Sequence, residues 1–404
     1  MTGEPTRLGE PSASRLRAAH YGDDDHSPCV CFRHSTESTR PRMPACVEGS
    51  TPAMGWCSMS RQIPLHFVTP VWGVDYTRTF VEVMLPSLLS PGNIPSLGPA
   101  ENCRFKIYTT PEDARQITMA PSYARLSALM PVQIMDIGNI ETNKYFASSR
   151  AYREAAIEAR HANAAGVFLG PDVVAADGSI RSVTRLLKNG TAAILVMGVR
   201  ATKETLVPEL LSRYSTGGDL CVSPTQLVEA LMRHLHPITR SHLYEGDSAT
   251  FHPAGFFWEV GQEGLLMHVF HLHPVVVYGP GISAEFSGTI DDDLLQKSDL
   301  PERLVHIVAD SDEMLFVEVS AAAYEFATPP RGGIDEIVTF IAGATNAFHR
   351  RAARVEIRAH VGKVSEMVWH QTGVRASQVI ESVLRGYEAL VESAHVSPGA
   401  VEAP

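Results

Sequence analysis

Short apolar runs and helix-period runs alternate through residues 63–197, and that alternation commits the chain to an α/β fold before any motif is considered. Residues 63–70, 104–109, 131–136, 165–169 and 192–197 read as strands. Residues 76–89, a short stretch opened by Pro111-Glu112-Asp113, and residues 123–130, 148–164 and 179–187 read as helices. Consecutive strands separated by helices favour a mostly parallel sheet with helices on both faces. In such a sheet ligands collect beyond the carboxyl ends of the strands. The fourth strand ends in Leu169-Gly170-Pro171-Asp172, which places one acid, Asp172, at that edge. Asp177-Gly178-Ser179, five residues on, reads instead as a turn and cap into the next helix.

Local chemistry sharpens several of these elements. Phe80, Met84, Leu85, Leu88 and Leu89 recur at helical spacing, and Pro86 among them predicts a kink or an early end. Ala151, Ala155, Ala159 and Ala162 form a small-residue stripe, which lets the 148–164 helix lie close against the sheet. Beyond Pro224 the pattern changes. A helix at 226–234, a loop rich in His, Gly and aromatic residues, and an apolar segment at 265–278 come first. Two strands follow at 303–308 and 315–319, and the chain then reads as helical after Pro329-Pro330, with a last long helix over 376–393.

Residues 1–60 are rich in Ser, Thr, Pro, Gly and Arg and have no periodicity, so they are expected to be disordered or a non-native extension, with Met43, Met54 and Met59 as alternative starts. The rest divides into an α/β domain over 61–330 and a helical region over 331–404. The formal net charge of −11 argues against nucleic acid as a partner. No apolar run is long enough to span a membrane and no signal-like segment opens the chain. Six scattered cysteines, with Cys29 and Cys31 too close for a zinc knuckle, read as reduced thiols of a cytoplasmic protein.

The motif inventory excludes several chemistries. No Gly-x-Gly-x-x-Gly, Walker loop or Gly-x-Ser-x-Gly elbow is present, which removes weight from dinucleotide-dependent enzymes, P-loop enzymes and serine hydrolases. The first strand with Asp75-Tyr76 and its helix, Asn143-Lys144-Tyr145 ahead of the alanine helix, and Val167-Phe168-Leu169-Gly170-Pro171-Asp172 together resemble the nucleotide-sugar-binding half of GT-A fold glycosyltransferases. The resemblance covers residues 63–200 in order and 240–295 loosely. It implies a GT-A-like fold, a nucleotide-sugar donor, an acceptor that is a glycan, a lipid or a small molecule, and a divalent metal, manganese or magnesium, held by an Asp-x-Asp motif. Here the first motif position is Gly170 and only Asp172 is acidic. Metal binding then needs Asp172 and a distant residue, or Arg and Lys must neutralise the diphosphate in its place.

The candidate site follows from this frame. Asp172, His271 and His273 are the expected metal ligands; the two histidines alternate on an expected strand and so share a face. Thr69, Pro70, Tyr76 and Tyr108 stand at strand ends where a nucleobase would stack, and Lys144, Arg150 and Arg153 are the cations for the diphosphate. Glu245 and Asp247, beside His252 and Trp258, mark an acceptor loop, although Trp258 reads equally well as core. The general base of an inverting reaction is expected to be Glu245, Asp247 or an acid of Asp291-Asp292-Asp293, with Asp292 taken from the triplet against the plainer reading of a solvated helix start. Three functions stay open: a sugar transferase, a degenerate sugar-nucleotide fold kept as a scaffold, and a methyl-donor-type transferase. The last is disfavoured because the second strand ends in Tyr108-Thr109-Thr110 with no acid.

Overall fold

Seven strands make the central sheet, and their order explains where a ligand can sit. They are β1 (Leu65–Pro70), β2 (Arg104–Thr109), β3 (Val132–Asp136), β4 (Ala165–Phe168), β5 (Ala193–Val196), β6 (His273–Val277) and β7 (Val305–Ile307). The spatial order is β3-β2-β1-β4-β6-β5-β7. All neighbours run parallel except β6, which is antiparallel to both β4 and β5. The chain leaves β1 toward β2 on one side and returns to β4 on the other, so a crevice opens beyond the carboxyl ends of β1 and β4.

This computed structural model describes residues 62–99, 102–138, 144–250, 255–279, 283, 289–298, 300–323, 331–363 and 365–395. The segment expected to be disordered, 1–60, lies outside them, as does His252. The described residues belong to one compact unit.

β1 is buried along its whole length, as a central strand covered on both faces must be. The helix Lys144–His161 covers one face. Ala151, Ala155 and Ala159 on it are 1% exposed or less, which brings its backbone close to the sheet, while Ala162 falls in the exposed turn beyond its end. On the other face the helix after β1 runs from Val74 to Leu88 through a π-helical turn at Phe80–Met84. Pro86 has no N–H for the preceding turn, and the widened turn just before it absorbs the defect, so the helix is distorted rather than ended.

Two smaller sheets complete the structure. In the first, Phe316–Ser320 lies between Val173–Ala175, antiparallel to it, and Val199–Thr202, parallel to it. In the second, Gly264–Val269 lies between Gly255–Glu259 and Ile357–His360, both antiparallel. The apolar segment at 265–278 is therefore two strands in two different sheets, broken at Phe270-His271. Residues beyond 330 include that last strand besides helices. The final helix, Glu366–His395, packs Trp369, Ile380, Val383 and Leu384 with Phe256, Trp258 and Phe270 in a core of its own. Among the described residues no helix is long and apolar enough to cross a membrane.

Candidate functional site

A cavity of about 360 Å³ opens at the crevice predicted by the strand order, a size typical of small-molecule sites. Pro70, Val71 and Trp72 enter it from the end of β1, and Leu169, Gly170, Pro171 and Asp172 from the end of β4. Ser148, Ser149 and Tyr152 descend from the alanine helix, and Tyr76 stands at the rim, 39% exposed.

The first small sheet assembles the charged floor. Glu318 is in register with Val173 on one side and Arg200 on the other, and the Val319 N–H donates to the Asp172 carbonyl at 2.8 Å. Asp172, Glu318 and Arg200 are thereby brought to one wall from three distant parts of the chain, with the Arg200 guanidinium paired to Glu318 at 2.8 Å. Two glycines leave room for the carboxylates. A Cβ on Gly170 would stand 3.0 Å from Asp172 Oδ1, and one on Gly198 would stand 2.6 Å from Glu318 Oε1. The glycine at the first motif position is thus the space into which the Asp172 carboxyl folds.

Burial and the nearby Glu318 charge push the Asp172 carboxyl up to about 7, against the opposing attraction of Arg200 and Lys203. Opposite stands His273, the first residue of β6. Its Nδ1 lies 2.7 Å from Asp291 Oδ1 and its Nε2 2.9 Å from the Phe168 carbonyl. Both partners accept hydrogen bonds, so both ring nitrogens donate and the ring is an imidazolium. Burial works against that charge, but the Asp291 carboxylate and the two hydrogen bonds outweigh it and raise the ring to about 9. Burial, then the charges of Asp291, Asp172 and Glu318, also raise the Tyr152 hydroxyl. The cavity therefore holds three carboxyl groups, one guanidinium and one imidazolium around a buried phenol.

The sequence-chosen residues divide sharply. Asp172, His273, Pro70 and Tyr76 line the cavity. Thr69 is fully buried and does not line the cavity, and its hydroxyl has no hydrogen-bond partner among the described residues. Tyr108 is packed between sheet and helix, 3% exposed, where no base can reach it, and burial raises its hydroxyl to about 12. Arg150 is spent on the Ile137 carbonyl after β3, and Arg153 is half-buried away from the cavity wall. Lys144 begins the helix, and its side chain lies outside the described residues. Glu245 and Asp247 sit in an exposed turn closed by Glu245–Ser248 backbone hydrogen bonds, with Asp247 at φ 60°, and neither lines the cavity. The Asp292 side chain is outside the described residues; of the triplet, Asp291 reaches the cavity. Asp177 does not cap the helix that follows, whose N-cap is Gly178 with no side-chain cap; its carboxylate accepts from the distant Gly92 N–H at 2.6 Å, and Trp258 is 9% exposed in the core.

The expected metal triad does not assemble. His271 lies in the break before β6, where its Nε2 donates to the Ala344 carbonyl at 3.0 Å and its ring meets His349. The period-two argument failed because the strand does not run through it. His273 has both nitrogens committed, so Asp172 has no imidazole co-ligand. The described residues do contain one group with metal-ligand spacing, elsewhere: Asp310, Asp312 and His360, whose ligand atoms lie within 4.8 Å of one another.

Sequence reading missed Arg200, Glu318, Trp72 and Tyr152. Glu318 carried a signal, being the single acid inside the apolar run Leu315-Phe316-Val317-Glu318-Val319. Arg200 carried none, because only the pairing of three remote segments gives it a role.

No protein-family model matches the chain, and no curated protein does. Among solved structures, the crystal structure of S. aureus TarS is similar over 72% of this chain and 42% of that one, with 9% identity and a TM-score of 0.33. The chain thus spans less than half the length of that protein.

Proposed function

We propose that the chain is a glycosyltransferase-like protein that seats a nucleotide-sugar in the cavity beyond β1 and β4 and passes the sugar to an acceptor hydroxyl. The observation that carries this reading is the placement of Asp172. It is a partly buried carboxyl in a ligand-sized cavity at the strand-order reversal, with its charge disfavoured by burial and by Glu318. Carboxyl groups suit sugar hydroxyls, and the flat faces of Trp72 and Tyr76 at the mouth suit a base or a pyranose ring.

Neither His271 nor His273 joins Asp172 as a metal ligand, and among the described residues no set of three close His, Cys, Asp or Glu ligand atoms includes Asp172. The diphosphate is met by Arg200, with Lys203 adding positive charge nearby, which is the second of the two routes left open by the missing first acid. His273 holds Asp291 and the end of β4 in place. Asp291 is the more exposed wall carboxylate, 41% against 28% for Glu318, and is the group placed to take the proton of an acceptor hydroxyl.

Thermal unfolding with a panel of nucleoside diphosphate sugars in excess chelator tests the reading. A ligand at 100 times its Kd stabilises the native state by about 2.7 kcal/mol. Stabilisation by a nucleotide-sugar, lost in Arg200→Gln, supports it; no stabilisation by any of them sinks it. Stabilisation without release of the sugar to water or acceptor would favour the scaffold reading.

A further inference from the structure

A second site lies where β7 ends. The turn Asp310-Ser311-Asp312 is stitched to the last strand, Ile357–His360. The Ser311 N–H donates to the Arg358 carbonyl at 2.9 Å, the Arg358 N–H to the Ala309 carbonyl at 2.8 Å, and the His360 N–H to Ser311 Oγ at 3.2 Å. These contacts fix the backbone of both partners independently of their side chains. Asp312 N–H donates to Asp310 Oδ1 at 2.8 Å, which sets the first carboxylate.

The His360 side chain is more than nine-tenths buried, against the edge of Trp369. Its Nδ1 lies 2.7 Å from the Gly362 carbonyl, an acceptor, so Nδ1 carries the proton and Nε2 points the other way. Nε2 faces Asp310 Oδ1 at 3.1 Å and Asp312 Oδ2 at 3.8 Å and meets no other partner among the described residues. A ring lone pair aimed at two carboxylates is a repulsive arrangement unless a positive charge sits between them. A backbone carbonyl on the far nitrogen is the usual orienting contact of a metal-bound histidine. Ligand atoms sharing an ion at about 2.1 Å stand about 3.0–3.4 Å apart. Asp310 Oδ1 already stands at that spacing from Nε2, 3.1 Å, and Asp312 Oδ2, at 3.8 Å on a mostly exposed side chain, reaches it by a small rotation.

We infer that Asp310, Asp312 and His360 form a binding site for a divalent transition-metal ion, one imidazole and two carboxylates on one side and water on the open side. An imidazole with two carboxylates suits manganese or zinc better than magnesium or calcium. The ion clamps the turn after β7 to the last strand, and so ties residues 357–360 to the central sheet. It lies outside the cavity of Asp172 and is independent of any reading of that cavity.

Titration of the full chain with MnCl2, followed by loss of the free Mn(II) electron paramagnetic signal, tests the inference. One saturable site and a higher melting temperature with manganese are expected for the wild type. Both are lost in Asp312→Asn, an exposed position where folding is not at stake, and in His360→Gln. Absence of saturable binding, or binding undiminished in Asp312→Asn, overturns it; the charge between the groups is then a proton on Nε2.

Discussion

Asp172→Asn is expected to stabilise the protein, and to do so more strongly as the pH rises. The Asp172 carboxyl is raised from 3.8 to about 7 by burial and by Glu318. The folded state therefore holds a proton that the unfolded state releases between those values. Stability falls as pH rises through that window, and the full penalty stands above pH 7. Three pKa units correspond to about 4 kcal/mol as a ceiling. Asparagine has the same outline and no charge to desolvate; the raised value already contains the attraction of Arg200 and Lys203, and burial of the amide takes back part of the gain. A net gain of about 1–2 kcal/mol at pH 8 remains. Urea unfolding of wild type and variant at pH 4.5, 6 and 8 reads it directly, as a midpoint difference that opens with pH. A variant less stable than the wild type at pH 8, or a gap that does not change with pH, would refute the reasoning. The acid would then be a turn residue serving the fold.

His273 gives the opposite sign. Its folded value of about 9 exceeds the ordinary 6.5, so its contribution is complete below pH 6.5 and disappears as pH rises through 9. Asp291→Asn should cost about 1–2 kcal/mol at pH 6, discounted because Asp291 is 41% exposed, and almost nothing at pH 10; equal losses at both would exclude the imidazolium. Gly198→Ala should displace Glu318, whose Oε1 lies 2.6 Å from the added Cβ, and release Arg200. Nucleotide-sugar affinity should then fall at least tenfold, measured by calorimetry, and unchanged affinity would remove Arg200 from the site.

The fold was legible wherever a segment's own pattern decides its state. The strands and helices of residues 63–197 carry continuous apolar runs or a helical stripe, and each stands within a few residues of its expected place. The π turn at Phe80–Met84 was readable from Pro86 as a defect, though not as a widened turn. His271 and His273 mark the limit. Whether one strand carries both depends on Phe270-His271 turning the chain from one sheet to another, a tertiary choice that period two does not encode. The same limit hid Arg200, which meets Glu318 only because residues 199–202 pair with 316–320. Tyr108 failed differently. It was judged by its place at a strand end, yet Tyr152 and Phe168 close over it in the core. Asp172 was legible as a residue of the cavity because a carboxyl just past an apolar strand is conspicuous in sequence and the strand order puts a crevice there.

The most direct measurement of the central claim is calorimetric titration of the full chain with nucleoside diphosphate sugars in chelator, alongside Arg200→Gln and Trp72→Ala. The account predicts saturable one-to-one binding of at least one donor without metal, weakened in both variants. Binding that appears only when a divalent metal is added, or binding that neither substitution alters, would contradict it.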